Sequence, residues 1–228
     1  AITNCLNFGN PQKPEIMGQI VRAIQGINEA CKALDYPVVS GNVSLYNETD
    51  GKAIQPTPAI GGVGLLKDLN KRCDIKFKMV GDEIFVIGKS SGHLSCSLFE
   101  REISKVDSKK NPPKVDLVEE RKNAEFIREL IESAIINACH DISDGGLLVS
   151  LFEMSTKNLG CEIIDPKQFT SADFFGEDQS RYVIAVDSSM VKELKKIAEK
   201  RSISLIKIAN VIRDEIKIGD EKVSVKEL

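Results

Sequence analysis

The feature that most restricts the fold of this chain is an apolar stripe with helical spacing in residues 14–34. Apolar side chains recur every three or four positions, at Ile16, Met17, Ile20, Val21, Ile24, Ile27, Cys31 and Leu34. This periodicity predicts an amphipathic helix. Pro14 suits the first turn of that helix, and Pro37 enforces its end. We expect the stripe to pack against a core.

Two parts of the chain are separated by a charged, aperiodic segment at residues 67–78. Before it, short strands are predicted at residues 38–40 and 60–66. After it, predicted strands at 83–87, 182–186, 205–211 and 215–218 alternate with predicted helices at 118–136, 147–154 and 191–200. This alternation indicates α/β layering. Residues 107–115, which include Lys109, Lys110, Pro112 and Pro113, are predicted to form a surface loop.

Composition excludes several classes of function. A net charge of -3 without a basic stripe, and an aromatic content of 5% without Trp, speak against a nucleic-acid binder. The chain contains no run of 18 apolar residues, so the sequence predicts no membrane-spanning helix. The six cysteines form no CxxC pair and the chain has two histidines, which argues against a zinc site. We interpret the cysteines as reduced thiols of a cytoplasmic protein.

Two polar motifs flank the predicted helix. Thr3–Pro11 contains three amides and a glycine, which suit either a ligand site or a turn with a helix cap. In the second motif, Ser40–Thr49, Gly41 permits close approach of an anion. Asn42 and Ser44 are two residues apart, so in a strand they share one face and can present an amide oxygen to Mg²⁺ and a hydroxyl to a substrate. The alternative is an exposed hairpin.

Two further motifs lie in the second part. His140–Gly146 precedes a helix, so its glycines suit a phosphate cradle and His140 suits acid–base chemistry. We favour the simpler interpretation that Asp144 caps the helix and that His140 is structural. In Phe175–Arg181, Arg181 suits phosphate pairing. A surface salt bridge with Glu177 is the favoured interpretation.

Together these motifs resemble one family. The strings TNCLNFGNP from Thr3, VSGNVSLYNET from Val39, QPTP from Gln55, HDISDGGL from His140 and FGEDQSR from Phe175 occur in this order. The chain is similar to the phosphoribosylformylglycinamidine synthases in their small bacterial form, subunit II, within the aminoimidazole ribonucleotide synthetase superfamily. The resemblance covers essentially the whole chain, and the string around Asn42 is its most specific part.

The resemblance implies a fold and an activity. It implies a partial, two-layer sheet-and-helix domain over residues 1–70 and a mixed-sheet α/β domain over residues 78–228, which together look like most of the second of two fused copies. The implied reaction uses ATP to activate the formamide oxygen of formylglycinamide ribonucleotide, and ammonia then displaces phosphate. The implied partners are a glutaminase subunit, which supplies the ammonia, and a small third subunit.

Residue roles follow only where the motifs match. Asn4, at a position that is Asp or Asn in the family, and Gly41 match ATP contacts, Asn42 matches a magnesium ligand, and Ser44 matches a substrate contact. His140 does not match the family's catalytic histidine, which belongs to the first copy, so no catalytic residue and no turnover by this chain alone are expected. The alternative is a structural or nucleotide-holding half. A kinase of thiamine monophosphate is a weaker alternative, which the Leu45–Thr49 extension disfavours.

Overall fold

The computed structural model describes residues 1–105 and 111–227, so part of the loop predicted at residues 107–115 lies outside the described residues. The chain forms two compact units, Ala1–Lys67 and Asp68–Leu228. Within the described ranges, no helix is long and apolar enough to cross a membrane.

The first unit is a helix beside a small sheet. Strands β1 (Ile2–Asn7), β2 (Val38–Ser44) and β5 (Thr57–Gly62) form the sheet in the order β2-β1-β5, and α1 (Pro14–Leu34) connects β1 to β2. The β1–β2 pair is parallel and the β1–β5 pair is antiparallel. The short strands β3 (Glu48–Thr49) and β4 (Lys52–Ala53) form a separate hairpin. The fold expected for this part, a sheet with a helix layer, is confirmed.

The helix has the predicted bounds, but the expectation that its stripe packs on a core is only partly met. Ile16 is buried, whereas Met17, Val21 and Ile24 are 45%, 44% and 49% exposed. The exposed residues form one side of the stripe, and the sheet covers only the other side. Helical spacing of apolar residues identifies the apolar face of a helix. It does not show how much of that face is covered by neighbouring elements.

The second unit contains a seven-stranded mixed sheet in the order β12-β11-β8-β10-β6-β9-β7. All neighbouring strands are antiparallel except β11 and β8, which are parallel. The strands are β6 (Glu83–Ile87), β7 (Ala138–Asp141), β8 (Leu159–Ile163), β9 (Tyr182–Val186), β10 (Leu205–Arg213), β11 (Glu215–Ile218) and β12 (Glu221–Ser224). The helices are α2 (Leu117–Glu132), α3 (Gly146–Met154), α4 (Ser171–Phe175) and α5 (Val191–Lys200).

Both faces of the central strands of this sheet are buried. In β6, Ile84 and Val86 join one apolar cluster with residues of α3, whereas Phe85 and Ile87 join a second cluster with residues of α2 and α5. Successive strand residues point to opposite faces, so an uninterrupted apolar run fits a strand between two helix layers. The α/β layering predicted for this part is confirmed.

The charged segment at residues 67–78 is not simply a linker. Phe77 is 2% exposed and belongs to the first apolar cluster of the second unit. Its backbone N–H donates to the carbonyl of Met154 at 2.9 Å. The end of this segment therefore packs with the second unit. The division into domains at 1–70 and 78–228 stays a prediction.

Candidate functional site

The pairing of β1 with β2 brings the first two motifs together. Thr3–Pro11 begins in β1, and Ser40–Thr49 begins in β2. In the parallel register, Asn4 lies beside Gly41, Cys5 beside Asn42 and Asn7 beside Ser44. Residues 37 positions apart in the chain therefore become direct neighbours, and these positions include all four predicted site residues.

Strand alternation distributes these residues over two faces. Paired residues of neighbouring strands share a face and successive residues alternate. Asn42 and Ser44 therefore lie on one face, together with Cys5 and Asn7, as their spacing predicts. Asn4 lies on the other face, where it lines a pocket with residues of α1. The sequence did not indicate this separation, because it depends on the register between the two strands.

Gly41 is required by the close approach of Asn4. A Cβ at residue 41 would lie 2.1 Å from Asn4 Oδ1 and 2.8 Å from the carbonyl oxygen of Asn4. The Asn4 side chain therefore occupies the space that any larger residue at position 41 would need. A packing reason for Gly41 exists in addition to the predicted contact with a nucleotide.

The polar side chains differ in how far they are already engaged. Asn42 is exposed, and neither its amide nor that of Asn4 makes a hydrogen bond to another side chain or to backbone in the part of the chain that the structure describes. Ser44 Oγ, in contrast, donates to Asn47 Oδ1 at 3.1 Å. Asn47 Nδ2 donates in turn to the carbonyl oxygens of Phe8 and Ser44, both at 3.0 Å. Ser44 thus has a fixed orientation and offers a ligand its lone pairs, whereas Asn42 is free to turn.

Glu48 ties the turn after β1 to the turn after β2. Its Oε1 accepts hydrogen bonds from Lys13 Nζ at 2.8 Å and from the backbone N–H of Asn10 at 3.1 Å. The hydrogen bond from Lys13, followed by that from Asn10, holds the pKa of Glu48 below its ordinary value. Asn47 and Glu48 therefore fix the ends of both strands. The sequence pointed to them only as members of the motif, since Phe8, Lys13 and Asn10, the partners that join them to the segment after β1, lie 35 to 39 residues away.

A shallow depression of about 580 Å³ crosses the middle of the three strands. It is lined by Thr3, Asn4, Cys5, Ser40, Gly41, Asn42, Ala59, Ile60 and Gly61. Ser44 lies outside this lining, two residues beyond Asn42 toward the end of β2. The structure thus brings three of the four predicted residues to one depression and places the fourth beside it on the strand.

The donor set limits the kind of metal binding that is possible. Nowhere in residues 1–105 and 111–227 do three or more His, Cys, Asp and Glu side chains form a group that could hold a metal ion. Asn42 offers one neutral oxygen. Mg²⁺ commonly keeps several waters and takes ligands from substrate phosphates. The residues therefore fit a magnesium ion that arrives with a nucleotide, and they do not fit a resident ion.

Comparison with family models decides the family. The model for the N-terminal domain of AIR synthase related protein matches residues 1–66, and the model for its C-terminal domain matches residues 79–220. This chain is an AIR synthase related protein. The two matches together cover most of its length, and the family resemblance inferred from the motifs is confirmed.

Relatives of this AIR synthase related protein are much longer than the chain itself. Phosphoribosylformylglycinamidine synthase subunit PurL of Bartonella bacilliformis is 47% identical over 225 residues, covering 96% of this chain and 30% of the relative. Three solved structures from Thermotoga maritima share the fold: PurLQS, PurL complexed with ATP and PurL complexed with FGAR. Their TM-scores are 0.71, 0.70 and 0.71 at 18%, 17% and 18% identity, with 99% of this chain and 37%, 37% and 38% of those chains covered.

In the C-terminal domain of this AIR synthase related protein, the third motif is structural. His140 lies in β7, and its Nδ1 and Nε2 are 3.1 Å from Asp141 Oδ1 and 2.9 Å from Glu153 Oε2. Both ring nitrogens are therefore engaged. The prediction that Asp144 caps α3 is wrong, because the N-cap is Gly145, whose N–H donates to Glu177 Oε1 at 2.8 Å.

The fourth motif supplies that carboxylate, Glu177, and its other charged side chains are buried. Asp178 is 8% exposed and accepts hydrogen bonds from both serine hydroxyls and two backbone N–H groups of residues 90–93. Arg181 is 3% exposed and donates to the carbonyl oxygens of Gly176 and Asp178. The Nε and Nη2 donors of Arg181 are thus taken by backbone carbonyl oxygens. The favoured surface salt bridge with Glu177 is wrong, since Glu177 caps helices instead.

Proposed function

We propose that this chain contributes nucleotide, magnesium and substrate contacts to a phosphoribosylformylglycinamidine synthase. The proposed reaction converts formylglycinamide ribonucleotide, ammonia and ATP to formylglycinamidine ribonucleotide, ADP and phosphate. ATP phosphorylates the formamide oxygen, ammonia adds to the activated carbon, and phosphate leaves. The chain spans about a third of its relatives' length, so this activity is proposed for a complete synthase that contains the present sequence.

One observation carries the proposal. The parallel register of β1 and β2 joins both motifs into a single polar site in which the amide of Asn42 has no competing partner among the described residues. The resemblance gives these same positions their roles. The T. maritima complexes with ATP and FGAR support both ligands, since those structures share the fold of this chain.

Asn42 and Ser44 have complementary roles in the proposed site. They are two residues apart in a strand, which separates them by about 6.5 to 7 Å. A magnesium-bound phosphate at Asn42 and a substrate O–H or N–H group at Ser44 would meet between them. The metal neutralises charge that develops on the transferred phosphoryl group. Because the Ser44 proton is donated to Asn47, Ser44 is assigned the role of an acceptor that orients the substrate.

Asn4 and Gly41 are proposed to contact ATP, but from different directions. Gly41 exposes its backbone beside Asn42, so a phosphate can reach it from the face that carries Asn42. The Asn4 side chain lies on the face toward α1, although the residue also lines the depression beside Gly41 and Asn42. If the nucleotide lies on the Asn42 face, Asn4 acts through its contact with Gly41 and not through a direct hydrogen bond.

The proposed partners and compartment follow from the same assignment. A glutaminase subunit would supply the ammonia, and a small third subunit would help assemble the complex. The T. maritima PurLQS structure supports such an assembly, because it shares the fold over 99% of this chain. The reaction is proposed to take place in the cytoplasm.

A structural or nucleotide-holding half without turnover of its own is a second candidate for the isolated chain. The engagement of both His140 nitrogens favours it, because this histidine is not free to act as a general base. We expect no amidine from the 228-residue chain supplied with ammonia, ATP and formylglycinamide ribonucleotide. Turnover above background would contradict this expectation.

The proposed function is tested in a complete synthase by Asn42→Ala, with Gln25→Ala on exposed α1 surface as the control. Loss of one contact to a charged partner costs about 1.5 to 3 kcal/mol, which corresponds to a loss of affinity or rate of roughly 10- to 150-fold. We expect a lower rate and a higher magnesium requirement for Asn42→Ala, with Gln25→Ala unchanged. An unchanged magnesium titration and rate for Asn42→Ala would make this residue part of a turn only.

A further inference from the structure

A second pocket lies in the second unit, whose residues take no part in the strands β1 and β2 of the proposed function. It has a volume of about 520 Å³. Three segments line it: the loop after β6, the approach to α2 with its first two turns, and residues 178–180. Pockets of 300 to 1,000 Å³ are typical of small-molecule sites. Its volume is therefore sufficient for a ligand considerably larger than a single ion.

Two lysines are the cationic side chains in the lining of this pocket, beside three carboxylates. Lys89 comes from the loop after β6, and Lys114 comes from the approach to α2. Both are exposed, and neither forms an ion pair or a hydrogen bond with any residue that the structure describes. An ammonium group is a compact charge with three donors, and a pair of such groups from separate segments suits an anion bound between them.

The carboxylates in the lining are already engaged elsewhere. Asp116 caps α2 by accepting from the N–H groups of Val118 and Glu119 at 3.0 and 3.1 Å. The Glu119 side chain lies 3.7 Å from Lys122 Nζ. Asp178 accepts hydrogen bonds from the serines and amides of the 90–93 loop. The two lysines are therefore the charged side chains of the lining that have no partner among the described residues.

The walls of the pocket are held in place by close backbone packing. Gly88 has φ +93°, and a Cβ there would lie 2.4 Å from the Ser180 carbonyl oxygen. Asn123 Nδ2 donates to that same oxygen at 2.9 Å. The side chain of Gln179 is exposed in the pocket lining and makes no hydrogen bond within the described ranges. The pocket thus offers a fixed frame, two free ammonium groups and one free amide.

We propose that this pocket binds a small phosphate monoester. The phosphoryl group lies between Lys89 and Lys114, and the organic part occupies the remaining volume, with Gln179 available to its hydroxyl groups. Bare phosphate would leave most of the pocket unfilled. This inference goes beyond the proposed function, since it concerns residues of the second unit that are assigned no role in that reaction.

Binding of ribose 5-phosphate to the 228-residue chain tests the inference, with ribose and inorganic phosphate as matched probes in isothermal titration calorimetry. We expect saturable binding of ribose 5-phosphate, weaker binding of phosphate and none of ribose. Lys89→Ala and Lys114→Ala should each weaken binding roughly tenfold, the loss expected for one charged hydrogen bond. Lys200→Ala, at the end of α5, should have no effect.

Several outcomes would overturn the inference. These are an absence of saturable binding, equal affinity for inorganic phosphate, or undiminished binding by the Lys89→Ala, Lys114→Ala double variant. Lys89→Arg should retain binding, which separates loss of charge from loss of fold. Asn42→Ala should leave ribose 5-phosphate binding unchanged, so the outcome here and the outcome of the synthase test are distinguishable.

Discussion

In residues 1–67, all of which the structure describes, Ile2, Phe8 and Ile16 are the only buried apolar side chains, whereas the second unit buries both faces of its central strands. This difference determines what a polar motif can do. In the thin first unit, Asn42 remains exposed and without a partner among the described residues. In the thick second unit, Asp178 and Arg181 are buried and satisfied by neighbouring backbone and hydroxyl groups.

The comparison shows that similar polar motifs acquire opposite roles from the layers around them. A buried polar group must be hydrogen-bonded. The polar groups of a motif inside a thick unit therefore bond to neighbouring loops and are not available to a ligand. A motif on an open sheet keeps its hydrogen-bonding capacity for a ligand. The following substitutions test this division, from the largest expected effect to the smallest.

Asp178→Ala should have the largest effect, and it should act on stability. Removing the carboxylate leaves the N–H groups of Gly92 and His93 without their acceptor and leaves the buried Arg181 charge without its nearby anion. Loss of one partner of a buried charged network costs about 3 to 5 kcal/mol. Urea unfolding should show this loss, whereas Asp144→Ala on the surface should change stability by less than about 0.5 kcal/mol. Equal unfolding midpoints would remove Asp178 from its structural role.

Gly41→Ala should destabilise the first unit through overpacking. The added Cβ meets the Asn4 side chain and carbonyl, and a forced contact of this kind costs about 1 to 3 kcal/mol. Asn4→Ala in the same chain should recover part of the loss, because it removes the closer of the two contacts. Thermal unfolding of both single variants and the double variant measures this coupling. Strict additivity would show that Asn4 does not constrain Gly41.

Ser44→Ala should weaken substrate affinity, and the loss of its hydrogen bond to Asn47 should also lower stability slightly. One neutral hydrogen bond is worth about 0.5 to 1.5 kcal/mol, or roughly a factor of 2 to 13. In a complete synthase, the KM for formylglycinamide ribonucleotide should rise more than the KM for ATP. Steady-state kinetics with each substrate varied separately measures the two constants. A change confined to ATP would place Ser44 at the nucleotide.

Glu48 should show the smallest effect, a dependence on pH. Its pKa is lowered in the folded chain, mainly by Lys13. Such a carboxyl adds stability above its ordinary pKa, and this contribution is lost as the pH falls through the lower folded-state pKa. Lys13→Met should move the pKa back toward the ordinary value of 4.5, whereas Lys32→Met should leave it unchanged. Carboxyl-carbon NMR titration of Glu48 measures both, and an unshifted pKa in Lys13→Met would contradict the ion pair.

Local patterns predicted the elements that depend on neighbours in the sequence. The strands at 83–87 and 182–186 and the helix at 191–200 have the predicted bounds, since each has a clear apolar pattern or period. Strands β7 and β8 were not predicted. β7 is four residues long and contains Cys139 and His140, so it lacks the apolar run from which a strand is predicted. Its position as a strand depends on pairing with β9, which is distant in the sequence.

The site could be predicted in its residue types but not in its arrangement. Alternation within β2 correctly placed Asn42 and Ser44 on one face. The position of Asn4 on the opposite face depends on pairing between strands, which the sequence pattern does not specify. The Asp144 cap failed because α3 begins one residue later, with Gly145 as its N-cap. The N–H of Gly145 donates to Glu177, which is 32 residues away in the chain.

The carboxylate of Glu177 has a consequence for local opening. Its Oε1 accepts from Gly145 N–H at the start of α3 and from Leu98 N–H next to the π-helix Phe99–Ser104, both at 2.8 Å. Each amide proton can exchange with solvent only after its hydrogen bond to Glu177 breaks. The same carboxylate oxygen also holds the other amide. Native-state hydrogen exchange often reports such linked segments as one cooperative unit. The start of α3 and the residues around Leu98, far apart in sequence, should therefore exchange with a common opening free energy.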